Sequence, residues 1–206
     1  MQPVRNARGL ATARRLEAAA VRLATEQGLD GLTVAAVCAE VGVGQRTFFH
    51  HFPTKEDALL GLDLPVLDEE RVRAYLSDPA IGVLSGAVGL VRLPASEEDP
   101  AVVVARLRLV AESPALYRRQ GERLMPLLEE VRGLVLARLR SAAADTAADG
   151  TTDQSTLELQ AELVTTIGAA LMQAVGVRAV QAGVQPSPQA PEQLVELLRP
   201  IWARLL

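Results

Sequence analysis

The sequence predicts an all-α fold, and three observations indicate it. Alanine, leucine and valine dominate the 206 residues, while aromatic residues make up only 3%, a balance that favours helices over sheets. Apolar residues account for 49% of the chain, enough for a substantial core and too many for wholesale disorder. They also recur at helical spacing in segment after segment. The length allows one large domain or two small ones.

The first predicted helix covers residues 11–27. Its apolar residues follow the i, i+3, i+4 spacing of one helix face, namely Leu16, Ala19, Ala20, Leu23 and Ala24. Gly28 and Gly31 follow directly and end it. A second helix is predicted from Thr33, which can cap it, to about Val41.

A tight turn and two short helices are predicted next. Gly42-Val43-Gly44 forms the turn, and residues 45–51 have room for only about two helical turns. Pro53 ends that segment. Thr54 begins another helix, with Asp57 three residues later in the capping-box arrangement.

Beyond residue 62 the chain is a series of longer helical patterns without an internal repeat. The breaks between them fall near Pro65 and in residues 77–79, 94–100, 113–114, 142–155 and 182–191. The predicted last helix covers residues 192–206, with Pro200 inside it.

Charge and cysteine usage restrict the class of protein. Residues 1–25 carry five arginines against one acid, whereas residues 61–206 carry 14 arginines against 19 acids; this asymmetry suggests one anion-binding end. The lone Cys38 excludes an internal disulfide and fits a reducing compartment. Without a signal-peptide pattern, and with the apolar run 80–91 too short to span a membrane, the prediction is a soluble cytoplasmic protein with no membrane partner.

Residues 41–56 hold all three phenylalanines, both histidines and the only lysine. A metal site is not predicted, because the adjacent His50 and His51 point about 100° apart on a helix and Cys38 is the only thiol. No cofactor is predicted either. Since no Ser-His-Asp order, phosphate-binding glycine loop or paired carboxylate has supporting context, the prediction is that the protein is not an enzyme.

Core packing is predicted for Phe48 and Phe52, which close a three-helix cluster with Leu16, Leu23 and Leu32. The polar residues require another explanation. Arg46 and Lys55 each stand in the first turn of a helix, where a cation opposes the helix dipole by roughly 0.3–1 kcal/mol. Two such cations suggest that a polyanion binds there. Two helices joined by a short glycine-containing turn match the helix-turn-helix plan.

From Thr33 to Leu60 the chain reads TVAAVCAEVGVGQRTFFHHFPTKEDALL, which closely resembles the DNA-binding segment of TetR-family transcriptional regulators. With the preceding helix, the resemblance covers residues 10–62. Gly44 stands where serine usually caps the recognition helix, and Phe49 stands where tyrosine is common. The matching positions are Thr33, Val37, Gly42, Val43, Thr47, His51, Phe52, Thr54, Lys55 and Leu59.

The resemblance implies a three-helix DNA-binding domain, residues 1–56, and a larger helical ligand-binding and dimerisation domain, residues 57–206. The residues implied to read bases are Gln45, Arg46, Thr47 and His50. The residues implied to face phosphates are Thr33, Phe49 (through backbone or ring), His51 and Lys55, with Arg14 or Arg15 nearby. Arg46 suits guanine and Gln45 suits adenine, because both side chains make bidentate contacts with those bases.

Residues 163–180 are apolar nearly all round, with Arg178 as the only charge, so this helix is buried on more than one side. A two-fold four-helix interface with a second copy is predicted; a deep core helix of a monomer is the alternative. The predicted interface residues are Leu163, Ile167, Leu171, Val175, Leu194, Leu198 and Trp202. The candidate ligand-pocket residues are Leu107, Tyr117, Leu124, Met125, Leu128, Leu171, Met172 and Gln173.

The sequence therefore predicts a homodimeric repressor that an unknown small molecule releases from a pseudo-palindromic DNA operator. One alternative is an interaction adaptor of the same fold without specific DNA binding. The other is a helical enzyme, for which the sequence shows no catalytic constellation.

Overall fold

A computed structural model describes residues 7–92, 99–146 and 153–184, together with 193, 195–198 and 200. The all-α prediction is confirmed, since helices account for most of the described chain. The chain divides into two compact units. Of the described residues, the first unit takes 7–64, 99–122 and 179–184, and the second takes 65–92, 123–146, 153–178, 193, 195–198 and 200.

The first unit opens with a helix that is longer than predicted. Helix α1 runs from Ala7 to Gly31, and Gly28, where the sequence predicts the end, adopts a left-handed φ of 79° that kinks it. Helix α2 covers Val34–Val41 behind Thr33, as predicted. Helix α3, Gln45–His51, and helix α4, Lys55–Leu60, follow. The starts of α2 and α4 coincide with Thr33 and Thr54, the caps that the sequence identifies.

The core of the first unit confirms the predicted three-helix cluster. Phe48 and Phe52 are 0% and 1% exposed, and they belong to one apolar cluster with Leu16, Leu23 and Leu32. Helix α7, Pro100–Glu112, packs against α1 and α4 in the same unit. The predicted domain boundary at residue 56 falls in the first turn of α4 and stays a prediction.

The second unit contains helix α5, Glu69–Ser77, and helix α6, Val83–Gly89. It also contains a short antiparallel pair of strands, β1 (Val66–Leu67) and β2 (Val91–Arg92), which the sequence does not predict. Its core includes Tyr75, Ala87, Leu90, Val131, Val135 and Ala161.

Two long helices complete the chain. Helix α8 covers Pro114–Thr146 with Pro126 inside it, so it continues past residue 142, where the sequence predicts a loop. Helix α9 covers Gln154–Ala182. Of the predicted last helix, only residues 193, 195–198 and 200 are described, and they are helical.

The sequence prediction considered only residues 80–91 as a possible membrane span, and helix α9 shows that this was incomplete. In the described chain this helix is long and apolar enough to cross a membrane by length and composition. Only 22% of its most apolar 18-residue window is buried within the chain. Length and composition alone indicate little, since core helices of soluble proteins share them.

Candidate nucleic-acid interface

The turn between α2 and α3 is built from the glycines that the sequence places there. Gly42 has a left-handed φ of 73°, and its N–H donates to the carbonyl oxygens of Cys38 and Ala39 at 2.9 and 3.3 Å. This geometry ends α2, because residues with a Cβ rarely adopt it. Gly44 precedes α3 without a side-chain cap, in line with the missing serine.

Helix α3 has one exposed face, which is polar except for Phe49. The side chains of Gln45, Arg46, Phe49 and His50 are exposed, while Thr47 and His51 are half-buried. Positions i, i+1, i+4 and i+5 of a helix lie on one side of it. In the described part of the chain, the side chains of Gln45, Arg46 and His50 have no hydrogen bond or ion pair, so their polar groups are available to a partner.

Most of the residues predicted to contact phosphates already have partners within the protein. The Nζ atom of Lys55 donates to the carbonyl oxygens of Leu29 and Leu32 at 3.1 and 2.8 Å. Glu56 and Asp57 also supply acidic charge to the first turn of α4, so Lys55 does not stand alone against the dipole. Its contact with DNA phosphate stays a prediction.

Thr33 and Arg15 are exposed, but both make protein contacts as well. The hydroxyl oxygen of Thr33 accepts from the Ala36 N–H at 3.1 Å and thus serves as the cap of α2. Arg15 donates to the Val41 carbonyl oxygen at 2.7 Å. Both remain predicted phosphate contacts, as does His51, whose ring lies 5.2 Å from that of His50.

Arg14 lies in a largely buried ionic cluster instead. Its guanidinium contacts Glu17 at 3.0 Å and Asp63 at 2.5 Å. Burial lowers its pKa, but the hydrogen bond to Asp63 and the charge of Glu17 outweigh burial and leave that pKa raised. Arg14 and Arg15 thus both have partners within the protein, and the phosphate contact of either residue stays a prediction.

Glu17 is the residue that the sequence analysis missed. Its side chain is 0% exposed; its Oε1 accepts from the Leu62 N–H at 2.6 Å, and Arg106 lies 3.8 Å from Oε2. Burial raises the pKa of Glu17, against the lowering effect of Arg106 and Arg14. A signal was available, since Glu17 falls on the apolar face of α1 between Leu16 and Ala20.

The basic N-terminal end is partly neutralised by acids outside residues 1–25. Arg22 forms ion pairs with Glu26, at 2.9 Å, and with Glu40. A groove of about 490 Å³ lies beside this cluster in the first unit, between α1, the end of α2 and the start of α7. None of the predicted ligand-pocket residues lines this groove.

The predicted ligand-pocket residues fall in both units. Leu107 and Tyr117 belong to the first unit, while the other six, Leu124, Met125, Leu128, Leu171, Met172 and Gln173, belong to the second. Tyr117 and Met125 are each 50% exposed. Their association in one pocket stays a prediction.

The predicted interface residues of α9 do not share one environment. Leu163 is 53% exposed, whereas Leu171 and Val175 are 8% and 7% exposed and are covered by their own chain. Ile167 and Leu198 are half-buried. Leu194 and Trp202 lie outside the described residues.

Over the ranges given above, no group of three or more His, Cys, Asp or Glu side chains is arranged to hold an ion. Cys38 is 4% exposed, and burial raises the pKa of its thiol.

Comparison with known proteins identifies the N-terminal segment. Residues 16–61 match the family model of bacterial regulatory proteins, tetR family. The chain is 35% identical over 115 residues to the HTH-type transcriptional regulator TcmR of Streptomyces glaucescens, a match that covers 50% of this chain and 50% of that relative. The match thus spans about half the length of the curated relative.

Two solved structures are similar to the chain at low identity. A transcriptional regulator from Rhodococcus sp. Rha1 shares 22% identity, with 90% of this chain and 92% of that chain covered and a TM-score of 0.40. The TetR family protein CprB from S. coelicolor A3(2) shares 20% identity, with 94% and 88% covered and a TM-score of 0.35. Because both TM-scores are low, the assignment depends on the sequence matches and on the geometry of α2 and α3. The N-terminal segment, residues 16–61, is thus similar to the tetR family of bacterial regulatory proteins.

Proposed function

We propose that the chain is a soluble, cytoplasmic, sequence-specific DNA-binding transcriptional regulator, with α3 as its recognition helix. The observation that carries this proposal is the exposed face of α3, where the side chains of Gln45, Arg46 and His50 have no hydrogen bond or ion pair in the described chain. The same helix is fixed on its other side by buried Phe48. A rigid helix with unpaired donors on one face suits the major groove, where donors and acceptors identify each base pair.

In this proposal residues 1–56 bind DNA and residues 57–206 bind a small-molecule ligand and a second copy of the chain. The protein then acts as a homodimeric repressor, and binding of the ligand releases it from its DNA operator. A ligand has this effect only if it binds the form that is unable to bind DNA more tightly than the competent form. A two-fold dimer presents two recognition helices, so its operator is pseudo-palindromic.

Selection from a randomised oligonucleotide pool with the purified full chain tests the proposal. We expect enrichment of a pseudo-palindrome whose half-sites lie one helical turn, or a multiple of it, apart. Failure to enrich any palindrome would contradict the proposal and would favour the adaptor of the same fold, for which the internal engagement of Lys55 and Arg14 leaves room.

Arg46→Ala tests the role of a single base-reading residue. We expect it to weaken operator binding by about 1–3 kcal/mol and to relax specificity at one base pair of each half-site. Arg73→Ala is the matched control, because Arg73 is an exposed arginine of α5 whose side chain is 75% exposed. If Arg46→Ala loses the same binding free energy on operator DNA and on random DNA, Arg46 does not read a base, and a phosphate contact is indicated.

A further inference from the structure

Phe49 is the only phenylalanine that the fold leaves at the surface. Its side chain is 53% exposed, whereas Phe48 and Phe52 are buried. Burying a phenylalanine side chain is favourable, and the exposed ring of Phe49 lacks much of that stabilisation. Single exposed apolar residues are common in proteins, so the position of Phe49 has to decide its meaning.

That position is within the proposed base-reading face and not at its edge. Phe49 follows Gln45 by four residues and Arg46 by three, so both side chains are its neighbours on the helix surface. His50 completes the same exposed face. A side chain among base-reading residues faces base edges when the helix enters the major groove.

Contact with the Phe48 ring restricts the orientation of the Phe49 ring. The ring centroid of Phe49 lies 5.5 Å from that of Phe48, with an angle of 84° between the planes, an edge-on contact. Because Phe48 is fully buried, it provides a fixed base for the exposed ring. A phenyl ring has no hydroxyl group to donate to a phosphate, so its chemistry suits an apolar partner.

We infer that Phe49 selects thymine in each half-site by packing against the C5-methyl group. This inference rests on the proposed DNA-binding function and replaces the phosphate role that the sequence resemblance implies for Phe49. Thymine offers the apolar group of the major groove, and apolar side chains recognise it there by contact. The recognised feature is the methyl group and not the hydrogen-bonding edge of the base.

Deoxyuridine substitution tests the inference, since it removes the methyl group and keeps every hydrogen-bonding group of thymine. On the selected operator, each thymine is replaced in turn, symmetrically in both half-sites, and binding is measured by fluorescence anisotropy. We expect one position at which the wild type weakens by about fourfold per half-site, the equivalent of one buried methyl group. Phe49→Ala is expected to bind the thymine and deoxyuridine operators equally well.

Two further variants sharpen the interpretation. Phe49→Tyr keeps the ring and should keep the preference for thymine at the same position. Leu76→Ala removes another exposed apolar side chain, 38% exposed on α5, and should leave the preference unchanged. Thermal melting of Phe49→Ala checks that the variant is folded, as its exposed site predicts.

The outcomes separate the inference from the function on which it rests. If no operator is enriched, the proposed function fails and the inference fails with it. If an operator is enriched but no thymine shows a preference that depends on Phe49, only the inference is overturned. Equal weakening of Phe49→Ala on the thymine operator, the deoxyuridine operator and random DNA would also overturn it, since this pattern identifies a backbone contact.

Discussion

At the residue scale, Tyr75 shows how one buried polar group ties stability to pH. Its side chain is 1% exposed, and its hydroxyl donates to the Val83 carbonyl oxygen at 3.1 Å. Burial raises its pKa to about 12, although Arg138, 5.9 Å from the ring centroid, acts in the lowering direction. Ionised Tyr75 is thus disfavoured in the folded state.

Tyr75→Phe is expected to remove part of the decrease in the free energy of unfolding at alkaline pH. The unfolded chain ionises Tyr75 near its ordinary value of 10.0, whereas the folded chain does so near about 12. Because the folded pKa is the raised one, the stabilisation is fully present below the unfolded value and is lost as the pH rises through the folded value. Over this interval the free energy of unfolding of the wild type should fall by about 2 kcal/mol more than that of Tyr75→Phe.

Urea unfolding across that pH range provides the measurement. Tyr117→Phe is the matched control, since Tyr117 is 50% exposed, and its profile should run parallel to that of the wild type. Parallel profiles for the wild type and Tyr75→Phe would contradict the prediction. Below pH 10 the Tyr75 variant should be less stable by about 0.5–1.5 kcal/mol, the usual value of one hydrogen bond.

At the scale of elements, two neighbouring short helices differ in their caps. The Thr54 hydroxyl accepts from the Asp57 N–H at 3.2 Å and donates to the Asp57 carboxylate at 2.8 Å. Arg119 binds the same carboxylate in bidentate fashion, at 2.9 and 2.8 Å. Gly44 gives α3 no side-chain cap, and a Cβ at this position would meet no atom within 4 Å.

Substitutions at the two caps are expected to act in opposite directions. Thr54→Ala should destabilise the protein by about 1 kcal/mol, because it leaves the first turn of α4 without its acceptor. Gly44→Ser should stabilise it by about 0.5–1 kcal/mol, because serine adds an acceptor and restricts the unfolded chain. Chemical denaturation measures both changes.

Conservative variants separate the contribution of the cap hydrogen bond to stability from the other effects of each substitution. Thr54→Ser keeps the hydroxyl and should retain most of the stability. Gly44→Ala adds a Cβ without an acceptor, so it isolates the effect on the unfolded chain. A destabilising Gly44→Ser would show that the backbone at Gly44, with φ −79° and ψ 156°, does not accept a serine cap.

At the scale of the whole molecule, helix α9 has an apolar stripe that is exposed within the part of the chain that the structure describes. The exposed residues of this stripe are Leu159, Leu163, Ala170, Ala174 and Val177. They follow helical spacing on one face, while Leu171 and Val175 face inward. An exposed, mainly apolar face of this kind, interrupted by Thr166, suits a second copy of the chain, as the proposed homodimer requires.

Leu163→Glu is expected to convert the proposed dimer into a monomer, because it places a charge within the stripe. Light scattering coupled to size exclusion, at micromolar protein, measures the change. Leu76→Glu introduces the same charge at an exposed leucine of α5 and should leave the dimer intact. A monomeric wild type, or a Leu163→Glu variant that stays dimeric, would contradict this stripe as the interface.

The sequence by itself determined the local architecture of the N-terminal unit. Thr33, Gly42, Thr54 and the helical spacing of apolar residues fixed the positions of α2, α3 and α4, since caps and helix faces depend on residues within a few positions of one another. The inward direction of Phe48 and Phe52 followed from the same spacing.

Only the tertiary structure decided which polar groups remain available to a partner. Arg14 meets Asp63 across 49 residues of sequence, and Arg119 meets Asp57 across 62. Such long-range pairs depend on how helices pack, so charge counts along the chain could not reveal them. The same packing joined buried Glu17 to the Leu62 N–H and to Arg106, and these contacts between distant residues do not follow from local spacing.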